Sequence, residues 1–269
     1  MKNTRNQYQN LIRRASLLLP CLFLATACGQ SPKTQVIAHR GAWKAQNLPE
    51  NSIAALKQAI ALECYGSEFD VHMTKDSIPV VNHDADFLGM DIEQSTYAEL
   101  LSPTLSNGEK IPTLEAYLKE GLKQRGTRLI LEIKKAPSGT PRTLVLTRKA
   151  VEMVQALGGG DQVEYITFDF ASGVLASQLS PGSQVAYLTG DKSPSEVKQA
   201  GYTSIDYNLN VFKEKPHWIE QAHELGLTVN VWTVNAEGDM VGLIDKGVDF
   251  ITTNEPEKLQ ALLESRKSR

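Results

Sequence analysis

Residues 66–84 read GSEFDVHMTKDSIPVVNHD, and the four residues Thr74-Lys75-Asp76-Ser77 in the middle decide how the two flanking halves are related. Both halves are short, β-branched and apolar enough to be strands. A parallel return between them would need a dozen or more residues, so the pair is expected to form an antiparallel hairpin. With the turn centred on Lys75-Asp76, Glu68 faces His83 and Asp70 faces Val81. Alternate residues of a strand share a face, so Glu68, Asp70 and His83 are predicted to project together.

Outward from this hairpin the chain alternates regularly. QVIAH, RLILEI, QVEYITF, QVAYL, TSIDYN, LTVNVWTV and DFIT read as further strands. Helix-period stretches separate most of them, among them NSIAALKQAIAL, TLEAYLKEGLKQ, TPRTLVLTRKAVEMVQAL, EKPHWIEQAHELG and AEGDMVGLIDKG. Repeated strand-helix alternation implies an α/β chain with a mainly parallel sheet, best closed as a (β/α) barrel, with a doubly wound open sheet as the alternative. Residues 84–112 break the rhythm. They are polar, show no clear strand, and carry turn residues at Gly89, Ser102-Pro103 and Ser106-Asn107-Gly108, so an insertion over one rim is expected.

At 269 residues, 41% hydrophobic and 22% charged, the chain is long enough for one large barrel and excludes a disordered, collagen-like or disulfide-scaffold protein. A net charge of −3 without a basic excess speaks against nucleic-acid binding. Residues 1–27 hold Lys2, Arg5, Arg13 and Arg14 and no acid, and end in the mostly apolar run ASLLLPCLFLATA before Cys28. That is the pattern of a secretory signal peptide, too short to span a bilayer. Thr26-Ala27-Cys28 resembles a bacterial lipobox, in which Cys28 is lipidated and becomes the N-terminus. The expected division is therefore a leader over 1–27, a tether over 28–34 and a single domain over 35–269, on a lipoprotein of the bacterial envelope held to the membrane by its anchor. Removing four basic residues shifts the net charge from −3 to −7. Cys21 leaves with the leader and Cys28 carries lipid, so Cys64 is alone and reads as a packing residue.

Chemically able residues gather at strand ends, which converge on one rim of a barrel. His39-Arg40-Gly41 ends the first strand, the hairpin holds Glu68, Asp70, His72 and His83-Asp84, and Glu132-Ile133-Lys134 ends RLILEI. LTVNVWTV presents Trp232, and Thr252-Thr253-Asn254 closes the last strand. Any one of Glu68, Asp70 and Glu132 taken singly reads more readily as a salt-bridge partner, but as a triple on one expected face, without cysteine or clustered histidine ligands, they suit Ca²⁺ or Mg²⁺ better than zinc. Arg40 and Lys134 beside such a cation suit a phosphate. His39 and His83 can carry protons near neutral pH, whereas His217 and His223 fall on a helix and read as surface or packing.

In order along residues 35–256, the strings AHRG, LPENS, EFDVHMTKD, IPVVNHD, LEIK and ITTNEP resemble the glycerophosphodiester phosphodiesterases. The resemblance implies a distorted (β/α)8 TIM barrel with an insertion after the His83-Asp84 motif. It implies His39 and His83 as the catalytic pair, Arg40 and Lys134 on phosphate, and a divalent metal on Glu68, Asp70 and Glu132. It further implies Glu50 and Asn51 as supports and Trp232 lining the pocket near the glycerol end. The implied reaction is metal-dependent cleavage of a small glycerophosphodiester to glycerol 3-phosphate and an alcohol. The rival readings are a phospholipase C- or D-like enzyme acting on membrane lipids and a solute-binding envelope lipoprotein without chemistry. Ser52 stands where Thr is commoner, and ADFLGMD replaces the family's Arg-Thr-Thr-Gly pattern after His83-Asp84; both lie where substrate is recognised, which leaves the alcohol open.

Overall fold

The computed structural model describes residues 34–267, so the leader, Cys28 and nearly all of the tether lie outside the described residues. The chain runs β1 (Gln35–Ala38), α1 (Ile53–Ala61), β2 (Gly66–Met73), β3 (Pro79–Val81), β4 (Asp86–Phe87), β5 (Met90–Asp91), α2 (Tyr97–Leu100) and α3 (Leu114–Gly121). It continues through β6 (Arg128–Ile133), α4 (Thr140–Ala156), β7 (Val163–Thr167), α5 (Phe170–Leu179), β8 (Val185–Tyr187) and α6 (Pro194–Gln199). The last part is β9 (Ser204–Asn208), α7 (Leu209–Glu214), α8 (Trp218–Glu224), β10 (Thr228–Trp232), α9 (Glu237–Asp245), β11 (Phe250–Thr253) and α10 (Pro256–Lys267).

Strands pair in the order β1-β11-β10-β9-β8-β7-β6-β2, and β2 pairs back to β1, which closes a barrel of eight parallel strands. A parallel barrel strand is covered on both faces, which is why these segments read as nearly continuous apolar runs. Outward residues such as Val36, Phe69, Leu131, Tyr165 and Val231 form one large core with the helices. Inward residues Ile37, Ile130, Ile166, Ala186 and Leu188 fill the barrel itself. Cys64 is fully buried and its thiol is pushed up to about 12, chiefly by burial, as befits a packing residue. Among the described residues no helix is long and apolar enough to cross a membrane.

The hairpin forms antiparallel as expected, but its register differs by one residue. Val71 pairs with Val81, His72 with Val80 and Met73 with Pro79, and Asn82 N–H donates to the Asp70 carbonyl at 3.0 Å. The reason lies in the turn, which spans five residues, Thr74 to Ile78. Thr74 N–H bonds the Ile78 carbonyl, Ser77 N–H bonds the Thr74 carbonyl, and Ser77 adopts φ +65°. An odd loop with one left-handed residue cannot centre on Lys75-Asp76. The expected pairings of Glu68 with His83 and Asp70 with Val81 are therefore incorrect. The strand ends at Val81, Asn82 keeps one bond to the ladder, and the chain bends at residues 83–85.

Two other expectations change. EKPHWIEQAHELG breaks into the end of α7 and α8, because Pro216 has no N–H and drives Lys215 to φ −127°. The insertion is not strandless: β4 and β5 pair as a two-residue ribbon, and Thr96 with Glu99 forms a capping box on α2. Phe87, Ile92, Leu100 and Ile111 pack with Val80 into a small core of their own. Glu109 returns to the barrel, where its carboxylate accepts the Ile53 and Ala54 N–H groups at the start of α1.

Candidate active site

His39 follows directly after β1, with its N–H bonded to the Thr253 carbonyl of β11. The chain then turns through Arg40 at φ +57° and Gly41 at φ +81°. Gly41 is required: a Cβ there would sit 2.7 Å from the Ala55 backbone, and its N–H reaches the Glu68 carbonyl at 3.1 Å. This turn aims the Arg40 N–H at Glu68 Oε2, 2.8 Å away, and sends the guanidinium to Glu50 Oε1 at 2.8 Å. Asn51, at φ +59°, completes the support. Its Nδ2 donates to Asp70 Oδ2 at 2.8 Å while its Oδ1 accepts the Asp70 N–H at 3.1 Å.

Register brings the acids together. Asp70 on β2 lies beside Glu132 on β6, and Glu68 lies two residues earlier on the same face. One oxygen from each of Glu68, Asp70 and Glu132 lies within 4.8 Å of the other two. Oxygens on opposite sides of a Ca²⁺ stand about 5 Å apart, so the group has the span of a coordination shell. All three are buried, at 2%, 1% and 8% exposure. Lys134 Nζ stands 3.1 Å from Asp70 Oδ1 and 2.9 Å from Glu132 Oε1. Glu68 Oε1 has no hydrogen-bond partner.

The electrostatics are strained in a consistent sense. Burial, then the charges of Asp70 and Glu132, push the Glu68 carboxyl well above its ordinary range. Burial and Asp70 push Glu132 up to about 7 against the pull of Lys134. Burial also works upward on Asp70, but Lys134, His83, Asn51 and Arg40 outweigh it and hold Asp70 low. Lys134 is raised because the two acids overcome its own desolvation. Three buried acids with an orphaned oxygen and too little compensating charge fit an oxygen-ligated divalent cation.

The imidazoles flank this group. His39 Nδ1 lies 2.7 Å from Asn254 Oδ1, so Nδ1–H donates and Nε2 keeps its lone pair. Loss of bulk water, and next the Arg40 charge, bring His39 down to about 4, which keeps it neutral at pH 7. His83 lies beyond the end of β3, in the bend at 83–85, and lines the same pocket. Its Nδ1–H donates to the exposed Asp84 Oδ1 at 2.7 Å, and its main-chain carbonyl accepts from buried His72 Nε2 at 3.0 Å. His217 and His223 stay outside: His217 begins α8, and His223 Nε2 pairs with Asp249 at 2.9 Å.

The pocket, of about 110 Å³, is lined by His39, Arg40, Glu68, His83, Glu132 and Lys134 on one side. Ile166, Phe168, Leu188, Asp206, Trp232, Thr233 and Thr252 line the rest. Trp232 is where the sequence places it, its Nε1–H donating to the Asp206 carbonyl at 2.9 Å and its ring edge-on to Phe168 at 5.5 Å. Asn254 stood out at the end of the last strand without an assigned role, and two further contributors were not singled out from sequence. Asn254 orients His39, Phe168 forms an apolar wall, and Asp206 is a buried acid whose carboxyl burial pushes up to about 8. An acid inside the apolar strand TSIDYN was the available signal for the last.

Residues 39–258 match the glycerophosphoryl diester phosphodiesterase family. The crystal structure of a glycerophosphodiester phosphodiesterase from Parabacteroides distasonis is 44% identical, with a TM-score of 0.85 over 88% of this chain and 99% of that one. A curated glycerophosphodiester phosphodiesterase from Caldanaerobacter subterraneus subsp. tengcongensis is 29% identical over 248 residues, 84% of this chain and 96% of its own. An Oleispira antarctica phosphodiesterase solved with the product sn-glycerol-3-phosphate shares the fold, with a TM-score of 0.72 at 23% identity over 86% of this chain and 97% of that one.

Proposed function

Because the chain belongs to the glycerophosphoryl diester phosphodiesterase family, we propose that it hydrolyses glycerophosphodiesters to glycerol 3-phosphate and an alcohol with His39 and His83 as the proton carriers. The observation that carries this reading is the convergence of both imidazoles, Arg40, Lys134 and the acids in one pocket. Glu68, Asp70 and Glu132 would hold a divalent cation, Ca²⁺ or Mg²⁺, which when bound withdraws charge from the phosphate oxygens. Arg40 and Lys134 add fixed positive charge and donors where negative charge spreads in phosphoryl transfer.

The two histidines divide the proton work by their surroundings. His39 is tied at Nδ1 by Asn254 and offers Nε2 as a base to the attacking hydroxyl, whether that belongs to water or is the substrate's own 2-hydroxyl. His83 protonates the alcohol oxygen as its bond to phosphorus breaks. It is 34% exposed and rests on the solvated Asp84, so bulk water can resupply its proton. Glu50 and Asn51 hold Arg40 and Asp70 in place. The basic, apolar leader ending just before Cys28 supports an envelope lipoprotein that meets small phosphodiesters outside the cytoplasm. The test is turnover of glycerophosphocholine and of a lysophospholipid by the purified protein, with EDTA and with Ca²⁺ or Mg²⁺ restored. Cation-dependent release of glycerol 3-phosphate from the first is expected. Preference for the lipid, or full activity after chelation, overturns the assignment.

A further inference from the structure

Strand order divides the pocket in two. The charged residues come from β1, β2, β6 and the hairpin; β9 and β10 lie across the barrel from β2 and β6. A phosphate held among Arg40, Lys134 and the acids would leave the side lined by Ile166, Leu188, Trp232 and Asp206 for the groups it carries. Three of those four are apolar walls.

Asp206 is not. It is 1% exposed, and its Oδ1 has no hydrogen-bond partner. The same residue anchors Trp232, whose indole N–H donates to its main-chain carbonyl, so Asp206 and the pocket-lining indole are held side by side. The Asn230 side chain hydrogen-bonds the carboxyl, and the charged neighbour that acts on it is Glu132, another acid, rather than a cation. Leaving a buried polar atom unpaired is costly, so an orphaned oxygen in a pocket wall calls for a partner supplied from the pocket. A hydroxyl on the substrate's skeleton supplies that partner without bringing a charge into an apolar recess.

We propose that Asp206 is a specificity-determining residue whose carboxyl hydrogen-bonds a hydroxyl of the glycerol moiety, so that the site selects polyol phosphodiesters over alkyl or aryl ones. The inference rests on the phosphodiesterase reading above and extends it to the substrate's carbon skeleton. A site built around a hydrogen bond to a hydroxyl rejects analogues that lack it far better than a greasy pocket sorts by size.

The experiment compares wild type, D206A and D206N on two diesters. Glycerophosphocholine bears no N–H, so the glycerol hydroxyls are its donors; bis(p-nitrophenyl) phosphate has no hydroxyl. D206A is expected to raise KM for glycerophosphocholine by about 10- to 100-fold while changing kcat/KM for the aryl diester less than about threefold. D206N, whose amide can still pair with a hydroxyl, should recover most of the loss. Parallel losses on both diesters, or none on either, overturn the proposal. A second measurement needs no variant: wild-type inhibition by glycerol 3-phosphate should exceed that by n-propyl phosphate at least about tenfold, and equal inhibition overturns the proposal. Failure of wild type to cleave glycerophosphocholine while cleaving the aryl diester is a different result, which sinks the phosphodiesterase reading's choice of substrate.

Discussion

Asn51 offers the sharpest test of how the site is held. Its side chain makes two buried bonds to Asp70, Nδ2 to the carboxylate at 2.8 Å and Oδ1 from the main-chain N–H at 3.1 Å, and its backbone sits at φ +59°. A buried hydrogen bond to a charged group contributes about 1.5–3 kcal/mol and a neutral one about 1 kcal/mol. Asn51→Gly removes both but keeps the left-handed backbone comfortable, so it should lower unfolding free energy by about 3 kcal/mol. Asn51→Ala loses the same bonds and adds a left-handed penalty of about 1–2 kcal/mol, partly offset because Ala loses less chain entropy than Gly. Alanine should therefore be the worse of the two by about 0.5–1 kcal/mol. Urea unfolding in EDTA, followed by tryptophan fluorescence and far-UV circular dichroism, measures both differences without a cation masking them. If alanine is no worse than glycine, the backbone argument fails; if both stay within about 1 kcal/mol of wild type, the Asp70 bonds do not carry the stability assigned to them.

His39→Ala and His83→Ala should each reduce kcat by at least about 10²-fold with little change in KM, and near-normal turnover in either removes that residue from the proton pathway. Because burial and Arg40 bring His39 down to about 4, and a base works deprotonated, kcat/KM should rise with pH through an acid limb well below 6.5. A limb centred at 6.5 would mean that His39 is solvated during the reaction or is not the base. Added Ca²⁺ or Mg²⁺ should raise the melting temperature, because a cation at 100 times its Kd stabilises by about 2.7 kcal/mol. Glu68→Gln should abolish that shift, and an unchanged shift would place the cation elsewhere.

The strands of this barrel were legible because covered parallel strands are written in β-branched and apolar runs. The acids Glu68, Asp70 and Glu132 stood out because charge inside such runs is costly without a partner. Register was a different matter. Ser77 has no sequence mark that demands a left-handed backbone, and one such residue lengthened the turn and moved every pairing. His83 lines the pocket from beyond the end of β3, where strand pairing no longer sets which way a side chain faces. Asn254 and the Glu109 cap on α1 depend on contacts across 215 and 56 or 55 positions, for which local pattern carries no signal.

The five-residue bend between β2 and β3 acts as a ruler for the chemistry. Of the two histidines proposed as proton carriers, His39 is mounted on the rigid wall, and His83 hangs from an arm whose length that bend sets. A single residue gained or lost there would slide the arm along the wall, leaving the wall and its acids untouched while separating the two rings. Catalysis would be lost from a protein that still folds.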